Sequence, residues 1–161
     1  MFFQSGLPAL IFCFRSVFIM AVHFSNETVD FLLNDESLMK KWISEVIKRH
    51  GKTLGKISYR FCSDDFIFDV NVKFLNHDTY TDIITFDYVS GNVVSGDILI
   101  SIDRVGENAL QLGVPFDREL HRVIIHGVLH LLGFKDKSDA DAAQMRAKEE
   151  ESLAMLDAMK K

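Results

Sequence analysis

The sequence predicts an α+β (mixed α/β) domain in which helices pack on one small, mostly mixed sheet of about four strands. Short segments rich in β-branched and aromatic residues alternate apolar and polar positions, which is typical of half-buried strands. Longer segments carry apolar residues at helical spacing. The order along the chain is strand, helix, strand, short helix, two strands and three helices, and this order favours helices packed on a single sheet.

The predicted strands begin with an alternating segment within Val22 to Asp30 and end with a hairpin. The other three strands are rich in β-forming residues and are expected over 56–62, 82–88 and 96–102. Ser90-Gly91-Asn92 separates the last two and predicts the turn that joins them.

Five helices are predicted from apolar periodicity and from residues that begin or end helices. Their expected ranges are 36–50, 63 to about 75, 103–112, 116–132 and a last helix after Ser138. Capping side chains are expected within 34–37 and at Ser63, Asp103 and Ser138. The segment 63–75 also permits a strand. The acidic run Glu149-Glu150-Glu151 in the last helix predicts a solvated face.

The composition is ordinary for a globular protein of one domain, with 161 residues of which 48% are hydrophobic and 25% charged. A net charge of −5 argues against a general nucleic-acid coat protein, but it leaves room for a local basic cleft. Cys13 and Cys62 give no disulfide framework, which fits a reducing cytoplasm.

Residues 1–19 form an apolar, phenylalanine-rich stretch divided by Arg15. We expect an upstream extension, with initiation at Met20 and one domain over 20–161. The stretch lacks the basic start of a secretory signal, and it has no unbroken apolar run near the ~18 residues of a spanning helix. An atypical signal or anchor and a genuine N-terminal element are the alternatives.

The segment from His126 to Asp136 predicts a metal site. His126 and His130 are four residues apart, so they share one face of a helix. Gly133 can end that helix in a left-handed turn and bring Asp136 back to the two imidazoles. Two nitrogens and a carboxylate with a free position are how a catalytic zinc site is built. A chance pair of core histidines is the alternative, but imidazoles in so apolar a helix need partners.

Position 127 separates this motif from those of the zinc peptidases. Those enzymes use His-Glu-x-x-His, in which the glutamate is the general base, whereas Gly127 occupies its place here. The metal site is therefore predicted without the peptidase base. This pattern favours a hydrolase with another proton acceptor, or a substrate that supplies its own nucleophile, such as the 2′-hydroxyl of RNA.

The motif resembles that of the YbeY-type endoribonucleases, which are rRNA maturation factors. The resemblance covers the chain from about Met20 onward and includes the segments 75–76, 81–86, 96–101 and 126–133. It implies a zinc-dependent endoribonuclease that acts on single-stranded RNA, in maturation of the 16S rRNA 3′ end and in ribosome biogenesis. His126, His130 and Asp136 would hold one zinc ion, and the ribosomal subunit is a possible partner.

The chain departs from the family pattern in two places. Asp136 stands where the family usually has a third histidine ligand, and the segment after Asn76 lacks the usual arginine. Phosphate contacts would then come from other cations, for which the candidates are Lys73, Arg122, Lys135 and Lys137.

Other polar residues have both a functional and a purely structural interpretation. Arg122 lies one turn before His126 and is the better electrostatic candidate, while His77 could act as an acid or base or be a polar turn residue. Asp97 could orient a ligand histidine or lie at a strand edge, and His121 should point away from the site.

Two other classes of function remain open for the sequence. One is a metzincin-like metalloprotease, which would need a base that the motif lacks. The other is a non-catalytic ribosome-assembly factor with a structural metal, which would need a fourth ligand such as Cys62 or His77.

Overall fold

The computed structural model describes residues 21–75 and 79–161, so the expectations for residues 1–19 and for His77 lie outside the described residues. The strands within these residues are β1 Ala21–Asn26, β2 Thr53–Cys62, β3 Ile83–Asp87 and β4 Val93–Ser101. They form one sheet in the order β1-β2-β4-β3. The first three in this order are parallel, and β3 pairs antiparallel with β4 at the edge. The predicted α+β class is confirmed.

The helices of the described residues follow the predicted order. They are α1 Glu36–Arg49, α2 Asp64–Val70, α3 Ile102–Leu112, α4 Phe116–Leu131 and α5 Asp139–Met159. A five-residue π-helical stretch, Asn71–Leu75, extends α2. In the parts of the chain that the structure describes, no helix combines the length and the apolar character needed to cross a membrane.

The main core lies between one face of the sheet and helices α1, α4 and α5. Two buried hydrogen bonds tie these layers together. The Trp42 indole donates to the Ser152 carbonyl over 2.8 Å, and the Tyr59 hydroxyl donates to the Ile124 carbonyl over 3.1 Å. Because strand side chains alternate between faces, α2 covers the opposite face through a smaller cluster, with Ile67 packed near Leu99. The core therefore fixes α4 against the sheet.

The starts of several elements differ from the prediction. β2 and β4 each begin three residues earlier than expected, at Thr53 and Val93. The predicted cap Asp103 is wrong, because β4 runs to Ser101 with an extended backbone and the Ser101 hydroxyl accepts from the Arg104 amide over 3.1 Å. At the start of α1, Asp35 adopts a left-handed conformation and its side chain makes no capping hydrogen bond.

The other two predicted caps are confirmed. The Ser63 hydroxyl accepts from the Phe66 amide at the start of α2. The Ser138 hydroxyl accepts from the Asp141 amide at the start of α5. In both cases the serine lies outside the helix with an extended backbone, which is where its hydroxyl can reach a free amide of the first turn.

Candidate metal centre

The end of α4 returns the chain toward the two histidines. Gly133 has a φ of 96°, a left-handed conformation that disfavours side chains. Its amide donates to the His130 carbonyl over 2.9 Å, and the Phe134 amide donates to the Leu129 carbonyl over 3.0 Å. This pair of bonds is the Schellman pattern of a helix end. The predicted glycine turn is present, and it brings Asp136 beside the imidazoles.

Three donor atoms converge at this turn. The Nε2 atoms of His126 and His130 lie 2.9 Å apart, and Asp136 Oδ2 lies 3.4 Å from the first and 3.3 Å from the second. Ligands ~2.0–2.1 Å from a tetrahedral zinc ion are themselves separated by about 3.3 Å. The three residues could therefore hold one metal ion.

The other ring nitrogens show which tautomer each histidine adopts. His126 Nδ1 lies 2.6 Å from Glu149 Oε1, and His130 Nδ1 lies 3.0 Å from the Phe134 carbonyl oxygen. Both partners are acceptors, so each Nδ1 carries a proton, and a ring that is neutral then presents a bare Nε2 lone pair. Two lone pairs and a carboxylate oxygen that face one another repel unless a cation lies between them. The donor set thus fits a metal ion.

Buried and half-buried charged side chains form a cluster next to His126. Arg122 makes two hydrogen bonds to Glu119, of 2.6 and 2.8 Å, and a third to Glu149 of 3.2 Å. Its guanidinium also lies 3.6 Å from Asp82. Hydrogen bonding to Glu119 and the adjacent Glu149 carboxylate raise the pKa of Arg122, so its positive charge persists at any physiological pH. Arg122, whose side chain is 26% exposed, is therefore held in ion pairs with these carboxylates.

A cleft of about 630 Å³ opens beside the three donors. One wall is β3, whose outer edge is unpaired within the described chain. The Ser101 amide donates to the Asp82 carbonyl and the Tyr88 amide donates to the Ser95 carbonyl, so even-numbered residues bond toward β4. Because the bonding direction alternates along a strand, the backbone groups of Ile83, Thr85 and Asp87 face the cleft, and all three residues line it.

Thr85 contributes an unusual group to this wall. Its Oγ1 atom is buried, and within the described residues it has no hydrogen-bond partner. A buried hydroxyl without a partner costs free energy of folding.

The candidate phosphate contacts fall in different places. Lys137 lines the main cleft. Lys135 lines a smaller adjoining cavity together with His130, Asp136 and Lys137. Lys73 lies on the π-helical stretch, with its Nζ 5.4 Å from the centre of the Phe74 ring. Of the candidate lysines, Lys137 is therefore the one that lines the main cleft within the described residues.

Two sequence interpretations of polar residues need correction. The Asp97 carboxylate accepts from the Tyr88 hydroxyl over 3.3 Å, and Glu149, not Asp97, bonds a ligand histidine. The interpretation of Glu149 as part of a solvated face is wrong, because its side chain is only 5% exposed. One signal could have identified it: Glu149 lies four residues from both Met145 and Leu153, on the buried stripe of α5. His121 points away from the donors as predicted and packs against Trp42.

Comparison with known proteins agrees with this architecture. Residues 22–157 match the family model described as Endoribonuclease YbeY. The chain is 51% identical to the Endoribonuclease YbeY of Flavobacterium johnsoniae over 84% of this chain and 96% of that protein. It is 58% identical to that of Porphyromonas gingivalis over 74% and 79% of the respective chains.

A solved structure shows the same fold. The solution structure of TM1509 from Thermotoga maritima superposes with a TM-score of 0.57 at 27% identity, covering 85% of this chain and 92% of that chain. The family match spans the strands of the sheet, the helix with both histidines and most of α5. The chain therefore belongs to the Endoribonuclease YbeY family.

Proposed function

We propose that this protein is a zinc-dependent endoribonuclease that cleaves single-stranded RNA. Its role would be the maturation of ribosomal RNA, including the 16S 3′ end, and ribosome biogenesis in the cytoplasm. Family membership supports the reaction and the substrate class. The observation that carries the proposal is the convergence of three donor atoms within 3.4 Å of one another at the wall of an open cleft.

His126, His130 and Asp136 would hold the zinc ion. Bound there, zinc would polarise a phosphoryl oxygen or activate a water molecule. The Glu149 carboxylate and the Phe134 carbonyl keep the Nδ1 protons in place, so both Nε2 lone pairs point into the site. Asp136 adds a negative charge that an all-histidine site would lack. Lys137 would contact an RNA phosphate at the cleft.

The packing of Gly127 argues against a metalloprotease. A Cβ atom on Gly127 would lie 3.0 Å from both Ile83 Cδ1 and Ile98 Cδ1. Position 127 therefore faces the sheet, and a glutamate there has no room to reach the metal site as a base. Peptide hydrolysis by the His-Glu-x-x-His mechanism would need that glutamate.

The donor count argues against a purely structural metal. Structural zinc sites normally close with four protein ligands. The donor group found in residues 21–75 and 79–161 has three members, and Asp136 is 40% exposed. Cys62 is buried on the opposite side of the sheet, where its thiol lies 3.5 Å from the Ile100 carbonyl. A fourth position would thus be open to substrate.

A cleavage assay tests the proposal. The purified protein is incubated with a single-stranded RNA, the same RNA in a duplex, and casein, each with and without a chelator. We expect cleavage of the single strand, loss of cleavage with chelator and recovery when zinc is restored. Asp136→Ala should abolish cleavage, while Asp139→Ala, at the exposed start of α5, should leave it intact.

Three outcomes would contradict the proposal. Cleavage of casein would favour the protease. Metal-independent cleavage of RNA would exclude the assigned role of the three donors. A protein that binds zinc, unfolds without it and cleaves neither substrate would favour the assembly factor with a structural metal.

A further inference from the structure

We propose that Glu149 and Arg122 form a positioning pair that sets His126 for metal binding. The inference rests on the metal-dependent function proposed above and goes beyond the three ligands themselves. Neither residue would touch the metal or the RNA. Their effect would pass through the His126 ring.

The contacts of Glu149 are concentrated on one oxygen. Oε1 accepts from His126 Nδ1 over 2.6 Å and from Arg122 over 3.2 Å. Arg122 is in turn fixed by its two hydrogen bonds to Glu119, whose side chain is 1% exposed. The chain of contacts leaves Glu149 little freedom, so the His126 ring is held in one orientation and one tautomer. Partners of this kind orient ligand histidines and raise their basicity.

The charges of this cluster do not balance without a cation. Three carboxylates, those of Asp82, Glu119 and Glu149, surround the single guanidinium of Arg122 within 3.6 Å. Three negative charges against one positive charge leave an excess of two, and Glu119 and Glu149 are almost fully buried. Buried like charges repel strongly because the interior screens them poorly. A divalent cation at Nε2 of His126 would offset this excess, so Glu149 should favour metal binding and disfavour the metal-free protein.

This charge balance gives Glu149→Gln an unusual set of expected effects. The amide keeps the shape of the side chain but removes one negative charge. Zinc affinity, measured by competition with a chromophoric chelator, should fall about 10- to 100-fold. The melting temperature of the metal-free protein should stay the same or rise, because repulsion within the cluster is relieved. Glu150→Gln, one residue along on the exposed face, is the matched control and should change neither quantity.

The histidine tautomer provides an independent readout. In nitrogen-15 NMR spectra of the metal-free wild type, His126 should be in the Nδ1–H form. In Glu149→Gln the Nε2–H form should become populated, because an amide can also donate to the ring. A residue with a merely structural role would not shift this equilibrium.

Arg122→Lys tests the contribution of Arg122 separately from that of Glu149. A lysine cannot make the two hydrogen bonds to Glu119 together with the bond to Glu149. We therefore expect Arg122→Lys to weaken zinc binding as well. It should lower the stability of the metal-free protein, whereas Glu149→Gln should leave that stability unchanged or raise it. Wild-type zinc affinity in Glu149→Gln, or a loss of affinity with an equal loss of metal-free stability, would overturn the inference. A wild type that binds no zinc would instead refute the proposed function.

Discussion

Replacement of Gly127 by alanine tests how closely α4 lies against the sheet. The new Cβ would lie 3.0 Å from Ile83 Cδ1 and from Ile98 Cδ1, and 3.1 Å from Ile98 Cγ2. Carbon atoms in good contact lie about 3.5–4.0 Å apart, and Ile98 is fully buried in the core. The three isoleucine carbons must therefore give way by a few tenths of an ångström, which disturbs the packing between α4 and the sheet. Overpacking of this kind costs about 1–3 kcal/mol.

The intrinsic helix preference acts in the opposite direction. Alanine is favoured over glycine within a helix by about 0.8–1 kcal/mol. The net effect of Gly127→Ala should be a loss of about 1 kcal/mol in the free energy of unfolding, as the overpacking cost exceeds the helix gain. Helix α4 carries His126 and His130, so its displacement should also weaken metal binding.

A second glycine in a helix isolates the packing contribution. Gly106 lies within α3, and among the described residues nothing would lie within 4 Å of its Cβ. Gly106→Ala should therefore stabilise the protein by about 0.5–1 kcal/mol. Urea unfolding of both variants in the presence of a chelator gives the comparison. If Gly127→Ala stabilises the protein as much as Gly106→Ala, the close packing of α4 and the argument against a glutamate base both fail.

Three further changes test the cleft and the core. Thr85→Val should stabilise the protein by about 1 kcal/mol, because it removes a buried hydroxyl that lacks a partner in the described chain. Urea unfolding checks this effect, and unchanged stability would contradict it. Lys137→Ala should reduce the slope of log affinity against log salt by about 0.7, and an unchanged slope in RNA titrations would exclude a phosphate contact. Burial, with a smaller effect of Lys160, lowers the pKa of His121 from 6.5 to about 4. Between these two pH values the unfolded chain binds a proton at His121 and the folded protein does not. Stability should fall by up to about 3 kcal/mol as the pH drops through this window, and His121→Gln should flatten that part of a urea-unfolding pH profile.

The metal motif could be predicted from the sequence because its geometry is local. Two histidines four residues apart, a glycine that requires a left-handed turn and a carboxylate three residues later all lie within one helix end. The same holds for most helices and strands, since the periodicity of apolar residues is a local property. These interactions do not depend on how distant elements pack.

Glu149 could not be assigned in the same way because its role depends on the contact of α5 with α4. It lies 23 residues from His126, and no local spacing connects them. Its position on the buried stripe of α5 was visible, but the neighbouring Glu150 and Glu151 suggested an exposed run. The ion pairs of Arg122 could not be predicted either. Its position one turn before His126 does not indicate that Glu149, on another helix, binds its guanidinium.

Close packing of α4 on the sheet connects the position of the metal site with the choice of reaction. Leu131 would lie 2.8 Å from a Cβ on Gly96, and Ile83 and Ile98 would lie 3.0 Å from one on Gly127. Two glycines thus let the C-terminal part of the helix lie close against β3 and β4. His126 and His130 consequently line the cleft beside the free edge of β3. The same approach leaves no space for a glutamate at position 127. A hydrolase built this way must take its proton acceptor from another position, or act on a substrate that carries its own nucleophile, as RNA does in its 2′-hydroxyl.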